Sequence, residues 1–125
     1  MFANTKAFSG FGVPDLDQAE RFYGETLGID VAREGDQLLI LKLAGGDRPT
    51  LAYLKPDFEP ATYTMLNFEV DDVEAAVDAL VARGVEFQRY EGSGQDEKGI
   101  MRGQGPDIAW FTDPAGNIIS VLKTS

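Results

Sequence analysis

Apolar residues recur at helical spacing in two places along the chain. Leu16, Ala19, Phe22, Tyr23 and Leu27 fall on one face of a predicted helix, and Val73, Ala76, Val77 and Leu80 on one face of another. Each run opens with a capping pattern, Asp15 with Gln18 and Asp71 with Glu74. Gly28 and Gly84 stand where a left-handed cap ends each helix. Elsewhere the pattern alternates, as half-buried strands require. One strand is predicted ahead of each helix, from Phe8 and from Met65. Three more follow each helix, near 29–34, 36–43 and 50–55, and then near 85–90, 107–112 and 117–123. Gly35-Asp36 and Gly45-Gly46 supply turns in the first half.

The two patterns are copies of one unit. Val13 matches Val70, Asp15 matches Asp72, Leu16 matches Val73 and Ala19 matches Ala76 at a constant offset of 57, which becomes 56 at Gly28 and Gly84. The repeat alignment places the second cap at Asp72, one residue later than the capping-box pattern does. The chain therefore reads as one α+β domain built from two βαβββ modules, 1–57 and 62–125, joined by KPDFEPAT. A Gly-rich, charged stretch, EGSGQDEKGIMRGQGP at 91–106, reads as a flexible loop or lid.

Composition then narrows the chemistry. The chain has 125 residues, no cysteine and no histidine. Thiol and imidazole catalysis are excluded, and a metal would have only oxygen ligands, suited to Mg, Ca or Mn. With 11 Lys and Arg against 21 Asp and Glu, the net charge is −10, which speaks against a nucleic-acid partner. No apolar run is long enough to span a bilayer, and MFANTKAF does not have the form of a signal peptide, so the expected location is cytoplasmic. GSGQDEKG lacks the spacing of a phosphate loop, and DVEAAVD lacks that of a calcium loop. Asp113 and Asn117 shape the DPAGN turn.

Two segments, VPDLDQAERFYGETLG and FTDPAGNIISV, together with the repeat, resemble the vicinal oxygen chelate superfamily of glyoxalase I, extradiol dioxygenases and the bleomycin- and fosfomycin-resistance proteins. The resemblance covers nearly the whole chain and implies curved mixed sheets enclosing a cleft, in a homodimer. Metal-dependent members carry ligands on the first strand of each half and after the D-P-x-G-N turn. The matching places here are Phe8, Ala52, Met65 and Ser120, with Ala52 taken as the counterpart of Ser120. Phenyl and methyl groups have no donor atom, a thioether is too soft for a hard cation, and a lone hydroxyl is weak. No metal or other cofactor is therefore expected.

Alternation assigns Met65, Asn67 and Glu69 to the cleft side of the fifth strand, and Ile118, Ser120 and Leu122 to that side of the last. Phe8, Ala52, Met65, Asn67, Glu69, Trp110 and Ser120 are the candidate ligand-binding residues. Phe8 and Met65 offer apolar contact, Trp110 a stacking surface, Asn67 and Ser120 hydrogen bonds, and Glu69 a charge. The expected function is metal-independent binding of a small molecule, sequestering a cationic or aromatic compound. A metal-independent isomerase or lyase with Glu69 or a tyrosine as base remains open. So does a glyoxalase-type metalloenzyme using carboxylates such as Glu69 and those of the long loop.

Overall fold

Two aspartates start the helices. Asp15 accepts a bond from the Gln18 amide, and Asp72 one from the Ala75 amide, both at 3.0 Å. The second cap is thus Asp72, as the repeat alignment requires. Asp71, suggested by the capping-box spacing, does not fill the role. The extended backbone of Asp72 (φ −140°, ψ 104°) is what lets its carboxylate turn back onto the first helical amides.

The computed structural model describes every residue except Gly46, Asp47, Gln104 and Ser125. Its chain divides into two compact units, Met1–Glu59 and Pro60–Ser125. In the first, β1 (Gly10–Val13) leads to α1 (Leu16–Glu20), which runs on as a π-helical segment, Arg21–Thr26. Then come β2 (Val31–Glu34), β3 (Leu38–Leu41) and β4 (Thr50–Leu54). The sheet order is β1-β4-β3-β2, with β1 and β4 parallel and the other pairs antiparallel. Phe11, Ala52 and Leu39 form one buried row across this sheet. The fully buried Tyr23 ring packs against Phe11, centroids 5.6 Å apart. Gly28, at φ 71°, ends the helix by entering the left-handed region that side chains with a Cβ avoid. Of the two predicted turns, Gly35 has the positive φ expected (63°). Gly46 of the Gly45-Gly46 turn lies outside the described residues.

The second unit repeats this path with β5 (Thr64–Glu69), α2 (Val73–Ala82), β6 (Ile108–Thr112) and β7 (Ile118–Leu122). Its order is β5-β7-β6, with β5 and β7 parallel and β6 antiparallel to β7. The core holds Val73, Val77, Ile100, Ala109, Phe111, Ile119 and Val121. At about 0.8 kcal/mol per buried CH₂, these side chains supply most of the drive for this unit to close. Among the described residues no helix is long and apolar enough to cross a membrane.

The strand predicted over 85–90 is reduced to a single bridge, Phe87 to Phe111, beside a bond from the Gln88 amide to the Trp110 carbonyl (2.7 Å). One side chain takes over the ladder. The Gln95 amide nitrogen donates to the carbonyls of Gln88 (2.9 Å) and Gly99 (2.7 Å), and its oxygen accepts from the Tyr90 amide (2.6 Å). The Gln88 carbonyl and the Tyr90 amide thus find partners in a side chain and not in a neighbouring strand.

Within the stretch read as a flexible loop, these and further bonds tie down residues 95–102, while Gln104 lies outside the described residues. Asp96 accepts from the amides of Lys98 and Ile100, each at 2.9 Å, and Arg89 donates to the carbonyls of Asp96 and Glu97. Lys98 pairs with Glu74 and Asp78 of α2, and Arg102 with Glu74, Asp96 and Asp107. Ile100 is fully buried. Exposed ion pairs contribute little singly, but the apolar anchor and the amide bonds do not depend on them.

Candidate functional site

The site is built on β7, the middle strand of the second sheet. Its approach is set by the buried carboxylate of Asp113, which accepts from the amides of Ala115 (3.0 Å) and Asn117 (2.8 Å) and from the Asn117 side chain (2.9 Å). Beyond the turn, Ile119 and Val121 point to the core and Ile118, Ser120 and Leu122 to the opposite face. This is the alternation expected.

Register then fixes the neighbours. Asn67 of β5, Ser120 of β7 and Trp110 of β6 form one row. Ser120 is fully buried, and its hydroxyl donates to Asn67 Oδ1 at 2.6 Å. Asn67 is exposed and Trp110 half-buried. The next row is Glu69, Leu122 and Ile108. Glu69 is exposed, and its Oε1 accepts from the Thr124 hydroxyl at 3.0 Å. Between Thr64 and Leu66 the register shifts, so that Met65, half-buried, has no partner on β7. Such a bulge re-aims a side chain at the rim of a sheet.

Tyr90, which alternation did not single out, joins this group. Its ring meets the Trp110 indole edge-on, centroids 5.4 Å apart and planes at 80°. It is held there by its amide bond to Gln95 and by Gln88 on the Trp110 carbonyl. The sequence signal was present in the tyrosine two residues after Gln88. It was masked by the assumption of a regular strand.

Electrostatics reinforce the loop that carries Gln95. Burial pushes the Asp96 carboxyl up, but the Ile100 and Lys98 amides and the Arg102 guanidinium outweigh it and hold it below its ordinary value. Hydrogen bonds to Asp78 and then Glu74 hold the Lys98 ammonium above its own.

Two candidate residues fall elsewhere. Ala52 pairs with Phe11 and Leu39 and is fully buried, on the helix side of the first sheet. Its counterpart is Val121, which pairs with Phe68, the repeat partner of Phe11. Leu51, paired with Gly10, is the residue that matches Ser120. A slip of one residue moves a side chain to the other face, and the inter-repeat alignment slipped by one across the turns. Phe8 precedes β1 and is 67% exposed, outside any strand.

The places that the resemblance assigns to metal ligands do not fit a metal. Phe8 and Ala52 have no donor, nor does Leu51 in the corrected alignment. The Met65 thioether suits no hard cation, and the Ser120 hydroxyl, a neutral oxygen donating to Asn67, is a weak ligand alone. Among the described residues no group of three or more Asp or Glu side chains is placed to hold an ion. The second sheet face offers instead an aromatic corner, an amide, a carboxylate and apolar ground from Ile108, Ile118 and Leu122.

A family model described as Glyoxalase/Bleomycin resistance protein/Dioxygenase superfamily matches residues 8–121. No curated protein matches the sequence. Among solved structures, the chain is similar to TnmS3, an antibiotic binding protein from Streptomyces sp. CB03234, at 27% identity, 98% coverage of each chain and TM-score 0.71. It is similar to a glyoxalase/bleomycin resistance protein from the same organism at 27% identity, covering 94% of this chain and 100% of that one, with TM-score 0.64. The glyoxalase family protein from Enterococcus faecalis shares the fold at 21% identity and TM-score 0.71, over 98% of this chain and 100% of its own.

Proposed function

We propose that this chain, which belongs to the glyoxalase/bleomycin resistance protein/dioxygenase superfamily, is a metal-independent small-molecule binding protein that sequesters an aromatic compound. The observation that carries this reading is the row Asn67–Ser120–Trp110, extended by Tyr90. It sets an aromatic corner and a hydrogen-bonding amide on one sheet face. The likeness to an antibiotic binding protein supports it. So does the donor set at the four metal places, which suits contact with an organic molecule and not ligation.

Each residue has a definite task. Trp110 and Tyr90 present ring faces and edges to a planar ligand. Asn67 fixes its orientation. Leu122, Ile118 and Ile108 supply apolar area at about 25 cal/mol per Å² covered. Glu69 stands at the edge of the face, solvated and bonded to Thr124, and sets the local negative charge. The protein acts as a homodimer on this reading, and light scattering in solution is expected to give twice the chain mass.

Trp110 is the single tryptophan of the chain. Its fluorescence therefore reports on this face alone. A panel of polycyclic aromatic antibiotics is expected to contain members that quench it saturably, at micromolar concentration or below. Saturable binding detected by calorimetry with no change at Trp110 would mean that the site lies elsewhere.

A further inference from the structure

The direction of one hydrogen bond selects the ligand. The contact between Ser120 Oγ and Asn67 Oδ1 is 2.6 Å. The hydroxyl donates and the amide oxygen accepts. Ser120 is fully buried on the middle strand, and the bond is part-buried beneath the exposed Asn67. With its oxygen turned down to Ser120, Asn67 presents its NH₂ outward. That nitrogen has no partner among the described residues and sits on an exposed side chain.

From this we infer that the ligand of this face is a neutral aromatic compound bearing a hydrogen-bond acceptor, such as a ring carbonyl, which Asn67 Nδ2 engages while Trp110 and Tyr90 hold the ring. The inference rests on the proposed binding function and sharpens it. A cationic group beside Asn67 would meet its NH₂, because the Ser120 bond turns the amide oxygen away, and the Glu69 carboxylate one row on is bonded to Thr124. Two strand spacings of about 4.8 Å separate Asn67 from Trp110 across the row, so a ligand of two or three fused rings reaches both. Ser120 is a positioning residue that acts through Asn67. Asn67 is the specificity determinant.

Three probes with one bicyclic skeleton test this: 1-tetralone, tetralin and 1-aminotetralin, which carry a carbonyl, a methylene and an ammonium. Binding is followed by the Trp110 indole resonance and the Asn67 side-chain NH₂ pair in ¹⁵N-labelled protein. We expect 1-tetralone to bind about fivefold more tightly than tetralin, the share of one neutral hydrogen bond, and to shift the Asn67 NH₂ pair. Asn67→Asp keeps an oxygen for Ser120, replaces the donor by a charge at an exposed place, and is expected to reverse the preference to 1-aminotetralin. Ser120→Ala frees the amide to turn either edge outward and is expected to narrow the preference for 1-tetralone over 1-aminotetralin. Equal affinity for tetralone and tetralin, or a preference of the unmodified protein for the amine, overturns the inference and leaves the binding face standing. If none of the three moves the Trp110 indole, the binding face itself is refuted, and the inference falls with it.

Discussion

Asp113→Ala removes the residue that ties the turn before β7. Its carboxylate accepts bonds from the Ala115 amide and from the Asn117 amide and side chain, and Asp113 and Asn117 are both 3% exposed. The Ala115 amide is half-buried and finds water when the carboxylate goes. The two Asn117 donors do not. Leaving a buried donor unsatisfied costs roughly 1–3 kcal/mol, so the pair costs about 3 kcal/mol, a large part of the 5–15 kcal/mol typical of a domain. For a chain of this length that lowers the melting temperature by about 10 °C. Urea titration followed by circular dichroism measures the loss, with an unchanged slope marking a change in stability and not in the denatured state. Asp113→Asn retains part of the acceptor set and is expected to lose about half as much. Because the turn aims Ser120 at Asn67, the Asn67 NH₂ resonances should broaden in Asp113→Ala. A loss under 0.5 kcal/mol would show that the backbone bonds between Asp113 and Asn117 hold the turn unaided, and the reasoning would be wrong.

Two further outcomes follow from the second unit. Asp72→Ala is expected to destabilise by about 1 kcal/mol as a lost helix cap, and Asp71→Ala by a few tenths at most. Chemical denaturation of the two variants decides between them, and equal losses would contradict the assigned cap. Because the folded carboxyl of Asp96 lies below its ordinary 3.8, its contribution is complete at neutral pH and is lost only as pH falls through that depressed value. The amide resonances of Lys98 and Ile100, which donate to Asp96, should titrate together with a midpoint under 3.8, and a midpoint at or above it would contradict the assignment.

The repeat was readable because it rests on strong local signals. Aspartate caps, the Gly28 and Gly84 terminators and the apolar helical faces all act within a few residues, and the structure forms both helices where they predict. Residues facing the core on β7 were equally plain, since Ile119 and Val121 alternate with Ser120. What failed depends on distant partners. The 85–90 segment has strand-like alternation, yet its backbone bonds go to Gln95, a side chain in a loop whose glycines suggested mobility. Composition reports how free a loop is alone, and not what the rest of the unit does with its amides. Ala52 was misplaced because comparing the last strands of the two halves means counting through turns of different length. A single residue of error exchanges core for site. Asn67 could be placed on a face from the pattern, but the direction of its amide could not, since that is set by a serine 53 residues away. Tyr90 was missed for the same reason, being positioned by Gln95 and by contact with Trp110.

On the proposed function, the second sheet face binds an aromatic compound without a metal. The strongest quencher from the antibiotic panel should be titrated into tag-free protein after chelator treatment, and again after loading with Mg, Mn, Zn or Ni. A histidine tag must be absent, because the chain has no imidazole of its own. One dissociation constant is expected throughout, with the Trp110 indole shifting in every case. Binding that disappears with the chelator and returns with one of the metals would contradict it.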